Sequence, residues 1–296
     1  MWPVLVYADN ACSYGQCSFK RTVLAGGQCS CMLPVLAGAE KALLKASVEE
    51  LDVSHTRISS TAFALPSTSL ALRSLRAIGC NMLRDLTLQL PADLPLHSIT
   101  AADCRQLGAV RITSAKLEAL NLSQCPQLQE LALACAQLRE LCVPQCPQLS
   151  HLSADCPALR RASLYNCSAL PQAQFTRIVA QAAQLHSVDA TGCNLLHELQ
   201  LTNPDLHELE VSGCRGLTHL QVSSPLMTLT ARNCKVLARV RVDSGSLTSL
   251  NISNCRELVH LTLIGHRGTL LSNTAGCDAL PTMVVDELAA RLPVNV

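Results

Sequence analysis

Apolar residues return along most of this chain in one fixed order. An apolar residue is followed by two others, a second apolar residue, one other, a third apolar residue, two others, and then cysteine. The order holds from Leu72 to Cys80, Leu96 to Cys104, Leu117 to Cys125, Leu138 to Cys146 and Leu159 to Cys167. It continues from Leu185 to Cys193, Leu206 to Cys214, Leu226 to Cys234 and Leu247 to Cys255. An earlier copy, Val48 to Thr56, carries Thr in the cysteine place, and the ten copies begin 24, 24, 21, 21, 21, 26, 21, 20 and 21 residues apart. Self-similarity at so regular a spacing marks a repeat architecture, in which each unit buries its apolar face only against its neighbours.

The spacing also predicts the elements. Within Leu117–Cys125 the apolar residues end in the period-2 alternation of a short strand, with Leu120 and Leu122 facing in and Ala119 and Asn121 facing out. Stacked coils then pair these strands into a parallel sheet over a ladder of inward leucines. At the cysteine place the chain turns inward, where a small, weakly polar thiol suits a crowded interior. A second, weaker copy of the pattern follows each cysteine: Leu128, Leu131 and Leu133; Leu217, Leu220 and Val222; Leu258, Leu261 and Leu263. Twenty-one residues leave little room for a helix, so this second segment reads as extended or 3₁₀. The 26-residue unit differs. Its stretch Pro171–Leu185 places Phe175, Ile178, Val179 and Ala182 at helical spacing and predicts one helix.

The fold class expected is therefore a mostly-β solenoid of the α/β repeat type: about ten short coils, curved, with a parallel sheet on the concave face and few helices. The expected division is an N-terminal segment or cap (1–45), one solenoid domain (46–265) and a C-terminal cap (266–296).

Composition sharpens this picture. The chain is 49% hydrophobic but only 2% aromatic, so aliphatic residues and cysteine must fill the core. A net charge of +1 offers no field for gathering nucleic acid or an anionic membrane. No run approaches the roughly 18 to 20 apolar residues that span a bilayer, and the start of the chain has no basic, signal-like opening. Seventeen cysteines is an odd number, and their places follow the repeat rather than a pairing scheme. They read as buried free thiols in a reducing compartment, which implies an intracellular, cytoplasmic or nuclear protein.

The stretches CPQLQELALACAQLRELCVPQC (125–146) and CNLLHELQLTNPDLHELEVSGC (193–214) make the pattern specific. Over about residues 48–265 the chain resembles the cysteine-containing leucine-rich repeats of F-box/leucine-rich-repeat proteins, plant members above all. The resemblance implies a recognition solenoid that binds a partner protein. It also implies a substrate-recognition subunit of an SCF-type ubiquitin ligase, joined through a Skp1-like adaptor. Residues 1–45 show no F-box. LPTMVVDELAARLP (280–293) has an F-box's opening rhythm but stops short, and an amphipathic cap is the other reading. Leucine-rich-repeat pathogen effectors use coils of similar length and form a third class.

Candidate chemistry is sparse. The outward strand positions are mostly small, polar and mixed in sign. Arg160, Arg161 and Tyr165 stand out beside the 26-residue unit, and Arg and Tyr are favoured in binding hot spots. With Glu140, Asp189, Glu208 and Glu210 they form the candidate partner-binding set. His151, His197, His219 and His260, interrupted by Arg239, are expected to form one exposed column in the second strands, too straight to converge on a metal ion. Cys12, Cys17, Cys29 and Cys31 do not follow a zinc spacing. No nucleophile elbow, metalloprotease helix or phosphate-binding loop is present, so no catalysis, cofactor or metal is expected.

Overall fold

Most described coils are built from two strands, a three-residue one ending just before the cysteine turn and a longer one after it. The computed structural model describes residues 49–59, 71–266 and 268–281. The chain divides into two compact units, residues 1–146 with 153–156, and residues 147–152 with 157–296.

In the first unit the chain runs β1 (Glu50–Asp52), β2 (Ser74–Arg76), β3 (Asp85–Gln89), β4 (Ser98–Thr100), β5 (Ala109–Ser114), β6 (Ala119–Asn121), β7 (Glu130–Cys135) and β8 (Glu140–Cys142). The short strands β1, β2, β4, β6 and β8 pair in that order, all parallel. Their register stacks Leu51, Leu75, Ile99, Leu120 and Leu141 into one buried column. The longer strands β3, β5 and β7 form a second parallel sheet. Strand β9 (His151–Asp155) contributes residues to both units.

The second unit continues with β10 (Arg161–Ser163), α1 (Gln172–Gln181), β11 (Ser187–Asp189), β12 (Glu198–Leu201), β13 (Glu208–Glu210), β14 (His219–Ser223) and β15 (Thr228–Thr230). It ends with β16 (Arg239–Asp243), β17 (Ser249–Asn251), β18 (His260–Ile264) and β19 (Leu271–Asn273). Here β10, β11, β13, β15, β17 and β19 form the short-strand sheet, and β12, β14, β16 and β18 the long-strand one. This is a mostly-β parallel solenoid of the leucine-rich-repeat kind, with one helix among the described residues. In the other described coils the second segment is extended, and this helix lies where the apolar spacing put it, with Phe175, Ile178 and Val179 buried.

The sheet runs one strand further than the ten-copy pattern. Strand β19 pairs with β17, placing Ser272 opposite Leu250. In this coil Thr269, Ser272 and Thr274 occupy the apolar places, which hides it from a hydrophobic template. Leu270, fully buried, sits one residue beyond the exposed Thr269.

Two devices close every coil. The residue just before the cysteine place has positive φ in all eleven described coils: His55, Gly79, Asp103, Gln124, Gln145, Asn166, Gly192, Gly213, Asn233, Asn254 and Gly276. A left-handed residue reverses the chain in one step, which explains why Gly and Asn recur there. At Gly192 (φ 73°) a Cβ would lie 2.2 Å from Asn166 Oδ1 of the coil before, so this place excludes any side chain unless Asn166 moves. The cysteine itself points inward and donates its S–H to a carbonyl of the preceding coil. Within the units nine such bonds span 3.0–3.3 Å, among them Cys125 to Ala101 O, Cys214 to Ala190 O and Cys277 to Ile252 O. The accepting carbonyl always belongs to the third apolar residue of that coil.

The described cysteines are free thiols, and all but Cys142 are buried. Burial pushes the Cys214 thiol up to about 12. Cys104 is also pushed up to about 12, first by its contact with Cys125. Cys125, drawn down by Cys104 but raised more by Cys146 and burial together, stands at about 12 as well.

The helix replaces a long strand, and its side chains replace the missing ladder. Gln172 Oε1 accepts from the backbone N–H of His197 (2.8 Å) and Glu198 (3.1 Å), while its Nε2 donates to Glu198 O (2.8 Å). Gln174 Oε1 accepts from Leu152 N–H (2.6 Å). At the other end of α1 the buried Asn203 side chain donates to Val179 O and Ala182 O, both at 2.8 Å. Those are carbonyls that a helix C-terminus leaves without partners. Among the described residues no helix is long and apolar enough to cross a membrane.

Two expectations follow. Cys104, Cys125 and Cys214 ionise near 9 when unfolded but stay protonated to about 12 when folded. Above pH 9 the unfolded chain therefore binds fewer protons than the native one, so stability falls as pH rises, by up to about 1.4 kcal/mol per pH unit for each such thiol. Urea midpoints measured in reductant should hold from pH 7 to 8 and fall clearly by pH 10; a flat profile would contradict the ladder.

Asn203→Ala should cost about 2–4 kcal/mol by chemical denaturation, since two buried carbonyls lose their donor. Asn203→Asp should cost at least as much despite its matching shape, because a carboxylate cannot donate.

Candidate functional site

Once the apolar column is buried, each short strand presents two outward side chains, and the register decides which ones meet. In the first unit one column is Glu50, Ser74, Ser98, Ala119 and Glu140; the other is Asp52, Arg76, Thr100, Asn121 and Cys142. The place before each strand carries charged or titratable side chains, several of which pair across coils. Arg73 approaches Glu49 at 4.0 Å, and Glu118 lies between His97 (3.8 Å) and Arg139 (3.7 Å). Such half-exposed pairs contribute at most about 1 kcal/mol each.

The second unit brings most of the predicted site together. One column reads Arg161, Ser187, Glu208, Thr228 and Ser249, and the other Ser163, Asp189, Glu210, Thr230 and Asn251. Asp189 and Glu210 are thus direct neighbours, about 4.8 Å apart across the sheet, and Arg161 lies two strands from Glu208. Glu140 belongs to the first unit. Arg160, exposed, sits just before β10, and its carbonyl accepts from His186 and Ser187 N–H. Tyr165, half-buried, lies in the turn after β10, so the two mark opposite ends of one strand.

Two features were not anticipated from the sequence. The first is that the second outward place is often structural. Asp189 Oδ1 accepts the Thr191 N–H at 3.0 Å, and Asp52, Asn121, Asn251 and Asn273 make the same turn to the residue two further on. The recurrence of Asp and Asn there was the available signal. The second is a ring contact between His186 and His207, centroids 5.4 Å apart, at the place before β11 and β13. Each ring's Nδ1 is engaged by a nearby carbonyl, Gln184 O and Asp205 O respectively. The pair lies 21 residues apart, one coil length, each directly after the first apolar residue of its copy (Leu185 and Leu206), which was the available signal.

The predicted histidine column needs correction. His219, Arg239 and His260 do share one register, but the residue in line with them on β12 is Glu198, not His197. His197 precedes β12 and shares its place with Thr218: it directly follows Leu196, as Thr218 follows Leu217, whereas His219 and His260 stand two residues after Leu217 and Leu258. Among the described residues no group of three or more His, Cys, Asp or Glu side chains could hold a metal ion. Cys12, Cys17, Cys29 and Cys31, and the F-box-like stretch beyond Pro281, lie outside the described residues.

No family model matches the chain, and no curated protein sequence matches it. Among solved structures the chain is similar to the functional domain of InlJ from Listeria monocytogenes, described as including a cysteine ladder. The identity is 15% and the TM-score 0.27, over 81% of this chain and 56% of that one. The chain thus spans little more than half of that structure's length. The repeat assignment rests on the strand register and the thiol ladder described above.

Because Asp189 is engaged by its own turn, Asp189→Asn, which keeps the accepting oxygen, should leave stability within about 0.5 kcal/mol. Asp189→Ala should cost about 1 kcal/mol, the usual worth of a local side-chain-to-backbone bond. Equal thermal midpoints for the two variants would release the carboxylate from this structural role.

Proposed function

We propose that this chain is a non-catalytic scaffold that binds a partner protein through the outward face of the short strands in its second unit. The observation that supports this reading best is the shared register of Arg161, Asp189, Glu208 and Glu210. Their strands are fixed from behind by a saturated apolar core, so a partner meets side chains already in place. Preorganisation of that kind lowers the ordering cost of binding. Arg161 and Tyr165 supply the side-chain types that dominate hot spots, and the mixed charge of the face suits a partner surface of mixed sign. No cofactor or metal enters this reading, and neither nucleic acid nor membrane is its target. Free buried thiols fit a reducing compartment, hence the cytoplasm or nucleus.

The CPxL-type repeats favour a second, narrower reading: the substrate-recognition subunit of an SCF-type ubiquitin ligase. Co-precipitation with a Skp1-like adaptor separates the two, since a plain scaffold does not retain the adaptor.

Affinity capture with the intact chain as bait, followed by mass spectrometry, identifies the partner. Against that partner the double variant Arg161→Ala with Tyr165→Ala should weaken binding by at least about 2 kcal/mol, roughly thirty-fold, with the melting temperature nearly unchanged. Unaltered affinity would place the contact elsewhere.

A further inference from the structure

The long-strand sheet of the second unit carries a groove that the repeat does not require. Strands β12, β14, β16 and β18 align Glu198, His219, Arg239 and His260 in one outward column, and Gln200, Gln221, Arg241 and Thr262 in the next. Together these residues line an open groove of about 440 Å³. That volume falls within the range of small-ligand sites.

The charges in the groove do not balance locally. In the first unit, strand-borne arginines face carboxylates: Arg76 approaches Asp52 at 4.0 Å, and Arg111 makes a two-pronged contact with Glu130 on the neighbouring strand. Arg239 and Arg241 have no such neighbour. In register they are flanked by His219 and His260, and by Gln221 and Thr262. Neither guanidinium has an ion-pair or hydrogen-bond partner among the described residues. The titratable and charged groups on this sheet face are Glu198, His219, Arg239, Arg241, Asp243 and His260. Glu198 lies 3.7 Å from His219. Asp243 sits a further two residues along β16, in the column of Ser223 and Ile264.

We infer that this groove binds a phosphate ester, with Arg239 and Arg241 as its two anchoring forks and His219 and His260 on either side. The two arginines are two residues apart on one strand, about 6.6 Å along the backbone, and point to the same face. Their flexible stems can close on a single tetrahedral oxyanion, the group that guanidinium forks match with paired hydrogen bonds. Gln221 and Thr262 stand next to Arg241 and offer neutral donors to the same oxygens. The site is independent of the short-strand face, so it stands or falls apart from the proposed partner contact.

The test is an NMR titration of the intact protein, observing arginine Nε–H signals at constant ionic strength set with chloride. The probes are inorganic phosphate, a short phosphoserine peptide and its unphosphorylated twin. The expected result is a saturable shift of the Arg239 and Arg241 signals with both phosphate probes, none with the unphosphorylated peptide, and no shift at Arg111. Tighter binding of the phosphopeptide assigns the ester to a protein partner, and equal binding assigns it to a small molecule. Arg239→Gln and Arg241→Gln should each weaken binding at least ten-fold while circular dichroism and melting temperature stay unchanged. A non-saturating shift shared by all arginines overturns the assignment, as does an affinity that survives both substitutions.

Discussion

The bond on which this molecule depends runs from a buried thiol to a carbonyl of the coil before it. After each short strand the chain reverses within a few residues, and the carbonyl of the third apolar residue is left facing the interior. No strand partner reaches it there, although the N–H of the coil's own cysteine does at Leu164 and Ala190. The next coil's cysteine does, at 3.0–3.3 Å, so each coil is completed by its successor. A thiol is a weak donor, but leaving a buried carbonyl unmet costs about 1–3 kcal/mol. Thr56 shows the requirement from the other side. In the first described rung its hydroxyl meets its own coil's Val53 O at 2.6 Å and approaches Cys80 Sγ at 3.7 Å. Neighbouring thiols and burial hold Cys104, Cys125 and Cys214 far from ionisation, which ties the fold's integrity to keeping them protonated.

With the interior so uniform, individuality moves to the surface and to the coil in which a helix replaces a strand. Helix α1 is tolerated because Gln172 and Gln174 take over strand bonds on its flanks and Asn203 closes its C-terminus. On the outward faces the two units differ in how charge is handled. The first neutralises itself through pairs such as Arg111 with Glu130 and Glu118 with Arg139. The second leaves acidic residues side by side on one sheet and two guanidiniums without partners on the other. Uncompensated charge on a preorganised sheet has little value for folding. It is where recognition is best sought.

Several parts of this architecture were readable along the chain. The spacing of Leu117, Leu120, Leu122 and Cys125 determines strand, face and turn, because a period of two followed by an inward small residue admits no other buried arrangement. Phe175, Ile178 and Val179 likewise identify the helix. The coil ending at Cys277 was not readable, since Ser272 and Thr274 lack the apolar character by which a buried place is recognised. Its strand exists because β17 offers it an edge.

What the sequence by itself determined, then, is the coil: its period, its inward residues and the free, buried state of its thiols, all consequences of local spacing and burial. Tertiary structure alone decided which residues from different coils meet. Stacking brought His186 onto His207, and Asp189 next to Glu210. It also denied Arg239 and Arg241 the carboxylate that Arg111 has. Neighbours across a parallel sheet are about 4.8 Å apart in space but a whole coil apart in sequence, so their meeting depends on register, which pattern along one strand does not carry.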